Sequence, residues 1–242
     1  MKKPAPRLLL LGFLAILVAA LAVVAAIAAA PPRPRFLSAT QLAPESLLAP
    51  PPAEGSPQAA AELAELRAIT RGASAAQYAE AEQDGRTKSA AIFAGVMGPG
   101  FDLKALPATH RLMAEVRHEQ KAATGRAKDQ FRRKRPWIVD ASIKSCGRMD
   151  LPRSSYPSSH AALAYAMAAV LADLSPDRAP ALMARAQAYG NSRLICGMHF
   201  RSDVEAGRRI GTEVAALLLR DPAFQADRRA AAAELKAAGL IR

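Results

Sequence analysis

Aromatic side chains are scarce in this chain of 242 residues: they make up 5% of it, and tryptophan occurs once, as Trp137. Runs of β-branched residues are short. Sheets draw on both kinds of residue, so their scarcity argues against a sheet-based core. Cysteine occurs twice, as Cys146 and Cys196. Neither lies in a Cys-x-x-Cys pair, which argues against a cysteine-based zinc site. Histidine occurs four times, and no grouping of histidine, cysteine and carboxylate has the spacing of a metal site. Beyond residue 30 no apolar run is long enough to cross a bilayer, which excludes a multi-span membrane protein. No internal repeat is visible.

What the chain has is alanine and positive charge. Apolar residues reach 51%, enough for a substantial core in one domain. Much of that fraction is alanine, the strongest helix former, so the expected fold class is all-α. The formal charge is +12, and without residues 1–28 there remain 30 basic and 21 acidic residues, a net of +9. Such a balance suits an anionic substrate, a nucleic acid or a membrane surface, and does not choose among them.

The amino terminus has the layout of a secretory signal: Lys2, Lys3 and Arg7, then an apolar run from Leu8 to Ala30, with an Ala26-Ile27-Ala28 cleavage box. We expect residues 1–28 to be a signal peptide, with an uncleaved anchor as the alternative. Both put the remaining chain outside the cytoplasm, in the periplasm or secreted. In an oxidising compartment Cys146 and Cys196 could pair, although sequence alone does not show that they meet.

Residues 29–57 are rich in proline and read as an extended arm. The domain expected over 58–242 is a succession of helices. One starts near Gln58, and others cover 73–83, 87–97 and 107–134, the last stopped by Pro136. Residues 138–157 read as a loop. Further helices are expected over Ser158–Leu174, Asp177–Leu194, 203–219 and 223–238.

Three clusters could carry chemistry. In AKDQFRRKRPW, Lys128 and Arg135 are seven apart, so on a continuing helix they would share a face. In YPSSH, Ser158 can cap the following helix, whose free amides, at Ser159 and His160, form an anion site. In SRLICGMHFRSD, Arg193 is followed by His199, and Asp203 lies four residues further on, placed to hold one imidazole nitrogen and leave the other free. Each cluster alone also fits a plain role: a solvated basic face, an ordinary helix cap, a surface ion pair.

Taken in order, the clusters read Lys-x6-Arg-Pro, 20 residues, Pro-Ser-Ser-His, 31 residues, Ser-Arg-x5-His-x3-Asp. This closely resembles the three-part signature of the class A bacterial non-specific acid phosphatases. These belong to the type 2 phosphatidic acid phosphatase superfamily, which also includes the vanadium haloperoxidases. SSYPSSHAALAYA, ICGMHFRSDVEAGR and DPAFQAD are similar to the class A branch, as is LLAPPPAEGS before AAAELAEL. The family pattern has glycine where this chain has Ser159; the amide remains, but a positive φ there would become costly.

The resemblance implies a single-domain helical bundle of the acid phosphatase and vanadium haloperoxidase type. It implies that Lys128, Arg135 and Arg193 bind phosphate with Ser158 and Ser159. It makes His199 the nucleophile, Asp203 its partner and His160 the general acid and base. No metal or other cofactor is implied, and vanadate is expected to inhibit. The implied partners are small phosphate monoesters (nucleotides, sugar phosphates, aryl phosphates), with no nucleic acid and no membrane after cleavage; homo-oligomers stay open. The alternatives are a lipid phosphatase or vanadate-dependent peroxidase on the same fold, and a non-catalytic phosphate- or polyanion-binding protein. His110 and His118 are expected to be surface or packing residues. Trp137 and Tyr156 are expected either to pack or to line the leaving-group side. Arg132, Arg133 and Lys134 are expected to be solvated or to attract anions.

Overall fold

Helix starts and stops follow the local chemistry of the chain. The computed structural model describes residues 35–147 and 151–242; the expected signal segment lies outside them. The long helices are α1 (Pro57–Gly72), α2 (Ala75–Arg86), α3 (Pro107–Phe131), α4 (Ser159–Leu174), α5 (Ala179–Ile195), α6 (Arg201–Leu218) and α7 (Pro222–Ala237). No strand occurs among the described residues, and the protein is all-α. The Ser56 hydroxyl caps α1, Ser74 and Gln77 form a capping box on α2, and Asp221 accepts the amides of Ala223 and Phe224 at the start of α7. No helix among the described residues is long and apolar enough to cross a membrane.

Two expected helices differ. The stretch expected over 87–97 is a 3-10 turn, Ala90–Phe93, and one helical turn, Ala94–Met97, closed by Gly98 at φ 103°. The helix expected over 107–134 ends at Phe131, where Arg132 turns left-handed at φ 47°. Lys128 and Arg135 therefore do not share a helix face. Pro136 disfavours helical backbone in the residue before it, and Arg135 is extended, at φ −70° and ψ 154°. Its amide donates to Pro152 O (2.7 Å), and the Ser155 amide donates to Arg133 O (3.1 Å). Residues 133–135 thus run extended beside 152–155.

The core is built round α4. Alanines 161, 162, 164, 166 and 168 are buried, and α4 packs chiefly on α6, α5 and α3. Small residues on both sides let α6 cross α4 at backbone contact. A Cβ on Gly207 would lie 2.4 Å from Ser158 O, and one on Gly211 would lie 2.3 Å from Ala162 O. Asp203 stands one turn before Gly207 on the same face, so this crossing brings it to the start of α4.

The arm, where described, is docked. Leu37, Leu42 and Leu48 are buried, the Phe36 amide donates to Glu119 on α3, and Pro44–Leu47 makes one helical turn. Cys146 and Cys196 form a disulfide that ties the loop before α4 to the end of α5. Beside it Gly197, at φ 58°, has its Cα where a Cβ would lie 2.2 Å from Lys144 O. Only glycine fits this turn, which leads directly into His199.

The crossing predicts that Gly211→Ala costs about 1–3 kcal/mol through overpacking against backbone that cannot yield. Gly95→Ala, which faces open space, should leave the melting temperature the same or slightly higher. Equal melting temperatures for the two variants would contradict this account of the α4–α6 contact.

Candidate active site

The site forms where the first turn of α4, the end of α5 and the start of α6 meet. Ser158 caps α4, its hydroxyl accepting from the Ala161 amide at 3.4 Å. Its own amide donates to Asp203 O at 2.8 Å. The amides of Ser159 and His160, first in the helix, have no intrahelical acceptor and suit an anion. Ser159 does not have positive φ, so a side chain where the resembled pattern has glycine brings no backbone strain. Its hydroxyl donates to Thr124 Oγ1 at 3.2 Å.

Three cations converge on this helix start. Lys128 Nζ donates to the carbonyls of Ser154 (2.5 Å) and Pro157 (2.6 Å). Burial, and then Arg135, push its pKa well below the ordinary lysine value. Arg135 Nη1 donates to Met198 O at 2.9 Å and Nη2 to the Ser154 hydroxyl at 3.1 Å, and its guanidinium lies over Trp137, 5.7 Å from the ring centroid. Burial lowers its pKa to about 10. Arg193 is 4% exposed, and its pKa is likewise lowered by burial. Arg193 Nε and Nη1 and Arg135 Nε are buried with no hydrogen-bond partner among the described residues. Orphaned buried donors on a guanidinium are costly, and an anion would satisfy them.

His199 ends the turn after α5, outside α6; Asp203 is in the first turn of that helix, so the two do not share one helical turn. They still meet. His199 Nδ1 is 3.3 Å from Asp203 Oδ2, which fixes the Nδ1–H tautomer and leaves Nε2 as a lone-pair donor. Arg135 Nη1 is 2.9 Å from that Nε2. Burial, and then the charge of Arg135, hold the His199 pKa well below the usual value, so the ring is neutral. Burial alone would raise the pKa of Asp203; hydrogen bonding to His199 and the charge of Arg133 outweigh it and keep the carboxylate ionised.

His160 Nε2 is 3.1 Å from Gly85 O. Burial, then the charge of Arg193, lower its pKa to about 3. Gly85 sits here because Asp84 beside it on α2 is clamped to α5, bonded to Ser192 and Arg185. A Cβ on Gly85 would lie 2.5 Å from Arg193 Nη1.

Sequence reasoning did not find Arg133, Glu62, Ser155 or Gly85. Arg133, expected either to be solvated or to attract anions, is 10% exposed at its side chain and bonds Asp203 and Glu62. The signal was Pro136: with the preceding backbone extended, residues 133 and 135 project to related positions. Tyr156 packs, its ring edge-on to Phe131 and its hydroxyl donating to Ala49 O. Trp137 is buried beneath Arg135. His110 is exposed and His118 half-buried, both on α3.

Fold and site together define a helical phosphatase domain. The PAP2 superfamily profile matches residues 120–226. The chain is 33% identical over 198 residues to the acid phosphatase of Zymomonas mobilis subsp. mobilis, covering 79% of this chain and 75% of that one. It is 32% identical over 191 residues to the non-specific acid phosphatase of Providencia stuartii, covering 74% and 75%. The non-specific acid phosphatase of Salmonella typhimurium is 36% identical over 141 residues, or 56% of each chain. The chain belongs to the PAP2 superfamily and, within it, to the bacterial non-specific acid phosphatases.

Gly85→Ala should displace the Arg193 guanidinium with little effect on melting temperature, since a side-chain end can move. If Arg193 binds phosphate, as its unpartnered buried donors suit it to do, moving it by about 1 Å is expected to weaken inorganic phosphate binding at least about tenfold. Unchanged phosphate affinity by calorimetry would show that Gly85 does not set the position of Arg193.

Proposed function

We propose that this phosphatase hydrolyses small phosphate monoesters of broad type through a phosphohistidine on His199, outside the cytoplasm and without a metal. The observation that carries this reading is a set of buried guanidinium donors lacking partners, next to a neutral imidazole whose second nitrogen is held by a carboxylate. A phosphate group supplies the missing acceptors, with Arg135 and Arg193 binding in fork geometry and Lys128 as a point charge. The amides of Ser159 and His160 add donors where charge gathers in the transition state. Among the described residues no group of three or more His, Cys, Asp or Glu could hold a metal ion. Asp203 already has Arg133, Ser155, His199 and the Phe200 amide as partners, so this donor set does not fit a divalent cation. The disulfide and the amino-terminal pattern support export.

In this mechanism phosphate draws the Arg135 N–H from His199 Nε2, freeing its lone pair. Nε2 attacks phosphorus; the P–N bond forms as the ester P–O bond breaks, and His160 gives its proton to the leaving oxygen. Asp203 stabilises the imidazole as it becomes cationic. Water then attacks phosphorus, His160 takes its proton, the P–N bond breaks, and inorganic phosphate leaves.

The acid preference follows from where the proton comes from. His160 is neutral above pH about 3 in the free enzyme. A phosphate monoester loses its second proton near pH 6, so between these values the monoanion carries in the proton that His160 must donate. Above that window both partners are deprotonated and the rate falls; below it the free histidine is protonated and the monoanion's proton is in excess. For p-nitrophenyl phosphate, kcat/KM should therefore be greatest between pH about 3 and about 6. Chelator should leave it unchanged and vanadate should abolish it. His199→Ala should lose at least on the order of a thousandfold in kcat; full activity in that variant would sink the phosphohistidine reading.

A further inference from the structure

Behind Asp203 lies a second layer of charge that phosphate binding does not use. Asp203 Oδ2 faces His199 and accepts from the Ser155 hydroxyl (2.6 Å) and the Phe200 amide (2.8 Å). Its other oxygen, Oδ1, accepts from Arg133 Nη1 at 2.7 Å. The same guanidinium donates from Nη1 to the Ser202 hydroxyl (2.7 Å) and from Nη2 to Glu62 Oε2 (2.8 Å). Glu62 comes from α1. It accepts the Ser202 amide at 2.8 Å and the Ser202 hydroxyl proton at 2.9 Å. The guanidinium also stacks on Phe200, with Cζ 4.3 Å from the ring centroid.

We propose that Arg133 and Glu62 are positioning residues of this phosphatase: Arg133 aims the Asp203 carboxylate at His199 and balances its charge, and Glu62 holds Arg133 in that place. The inference rests on His199 as the nucleophile. Asp203 is fully buried, and a lone carboxylate there would draw a proton onto itself or onto His199, removing the lone pair the reaction needs. Arg133 supplies the countercharge from the side away from phosphate. Only a planar fork can bond two carboxylates and a hydroxyl at once while its face lies on an aromatic ring. Signs then alternate from Glu62 through Arg133 to Asp203, which faces the imidazole that becomes cationic in the proposed reaction.

Other charges face the same pair. Lys128 lies on α3, Arg135 on the extended segment after it, Arg193 on α5 and His160 on α4, with the Tyr156 phenol just before α4. Of these, Arg135 and Lys128 disfavour a charged His199, and all stay constant in the comparison below. Burial would lower the Arg133 pKa, but Asp203 and Glu62 more than reverse this, so its charge persists through the working range.

The test is steady-state kinetics on p-nitrophenyl phosphate, joined to 15N NMR of histidine-labelled full-length enzyme, in which only four histidines need assigning. Arg133→Lys keeps the charge but cannot span both carboxylates. It should lower kcat and kcat/KM together, by on the order of tenfold to a hundredfold, as expected for a partner that orients a site group from behind, with His199 still neutral. Arg133→Gln should add a rise in the His199 pKa, because Asp203 loses its countercharge. Adding Glu62→Gln to Arg133→Gln should bring that pKa back down, a change of opposite sign that loss of packing would not produce. Glu62→Gln alone preserves shape and serves if Arg133→Gln does not fold; its kcat should fall with KM unchanged. Wild-type kcat in both Arg133→Lys and Glu62→Gln, or an effect confined to KM or to melting temperature, would overturn the inference while leaving His199→Ala inactive. A fully active His199→Ala enzyme would overturn the nucleophile assignment as well.

Discussion

Positive charge held out of water is the constraint on which the rest of this structure depends. Lys128, Arg135 and Arg193 crowd one helix start, where desolvation and mutual repulsion would expel them if nothing answered their charge. Main-chain carbonyls of Ser154, Pro157 and Met198 take part of the load, and the Trp137 face takes another. The remaining donors are the ones that phosphate would satisfy. In the proposed reading much of the site's stabilisation is therefore deferred to ligand binding, so that the donors act on the phosphoryl oxygens where charge gathers in the transition state.

The same crowding explains the protonation states. Burial and neighbouring cations hold the pKa of both site histidines below the usual value; in the proposed mechanism this suits His199 as a nucleophile and leaves His160 to take its proton from the arriving phosphate. One carboxylate, Asp203, works against this trend, and it does so with Arg133 behind it. The site thus alternates in sign over a short distance, and each charge is intelligible only through its neighbours.

Scaffold and site meet at the α4–α6 crossing. Gly207 and Gly211 allow backbone contact with the first turn of α4, and Asp203 lies one turn earlier on the same stripe. A side chain at either glycine would separate the Ser158 cap from the Asp203 carbonyl it bonds. On the other flank, Gly197 and the disulfide shape the turn that carries His199, and Asp84 clamps α2 so that Gly85 abuts Arg193 and His160.

Much of this was legible in the residues themselves. Alanine content set the helical class, and prolines and serine caps marked most helix ends; these are local properties, and local chemistry is enough to state them. Lys128, Arg135, His160, Arg193, His199 and Asp203 stood out only through the resemblance of the three motifs, taken in order, to the family signature. What failed was the assumption that helix α3 continues to Arg135, because the left-handed turn at Arg132 depends on the chain pairing with residues 152–155, far along the sequence. Pro136 signalled that Arg133 and Arg135 share an extended segment, but the bond of Arg133 to Glu62 across 71 positions and the fit of Gly85 against Arg193 were beyond reach, because those partners lie far apart in the chain. Sequence by itself determined which chemical groups are present and in what order. The tertiary structure alone decided which of them lose water and which charge each one faces, since burial and charge pairing arise between segments that the chain keeps far apart.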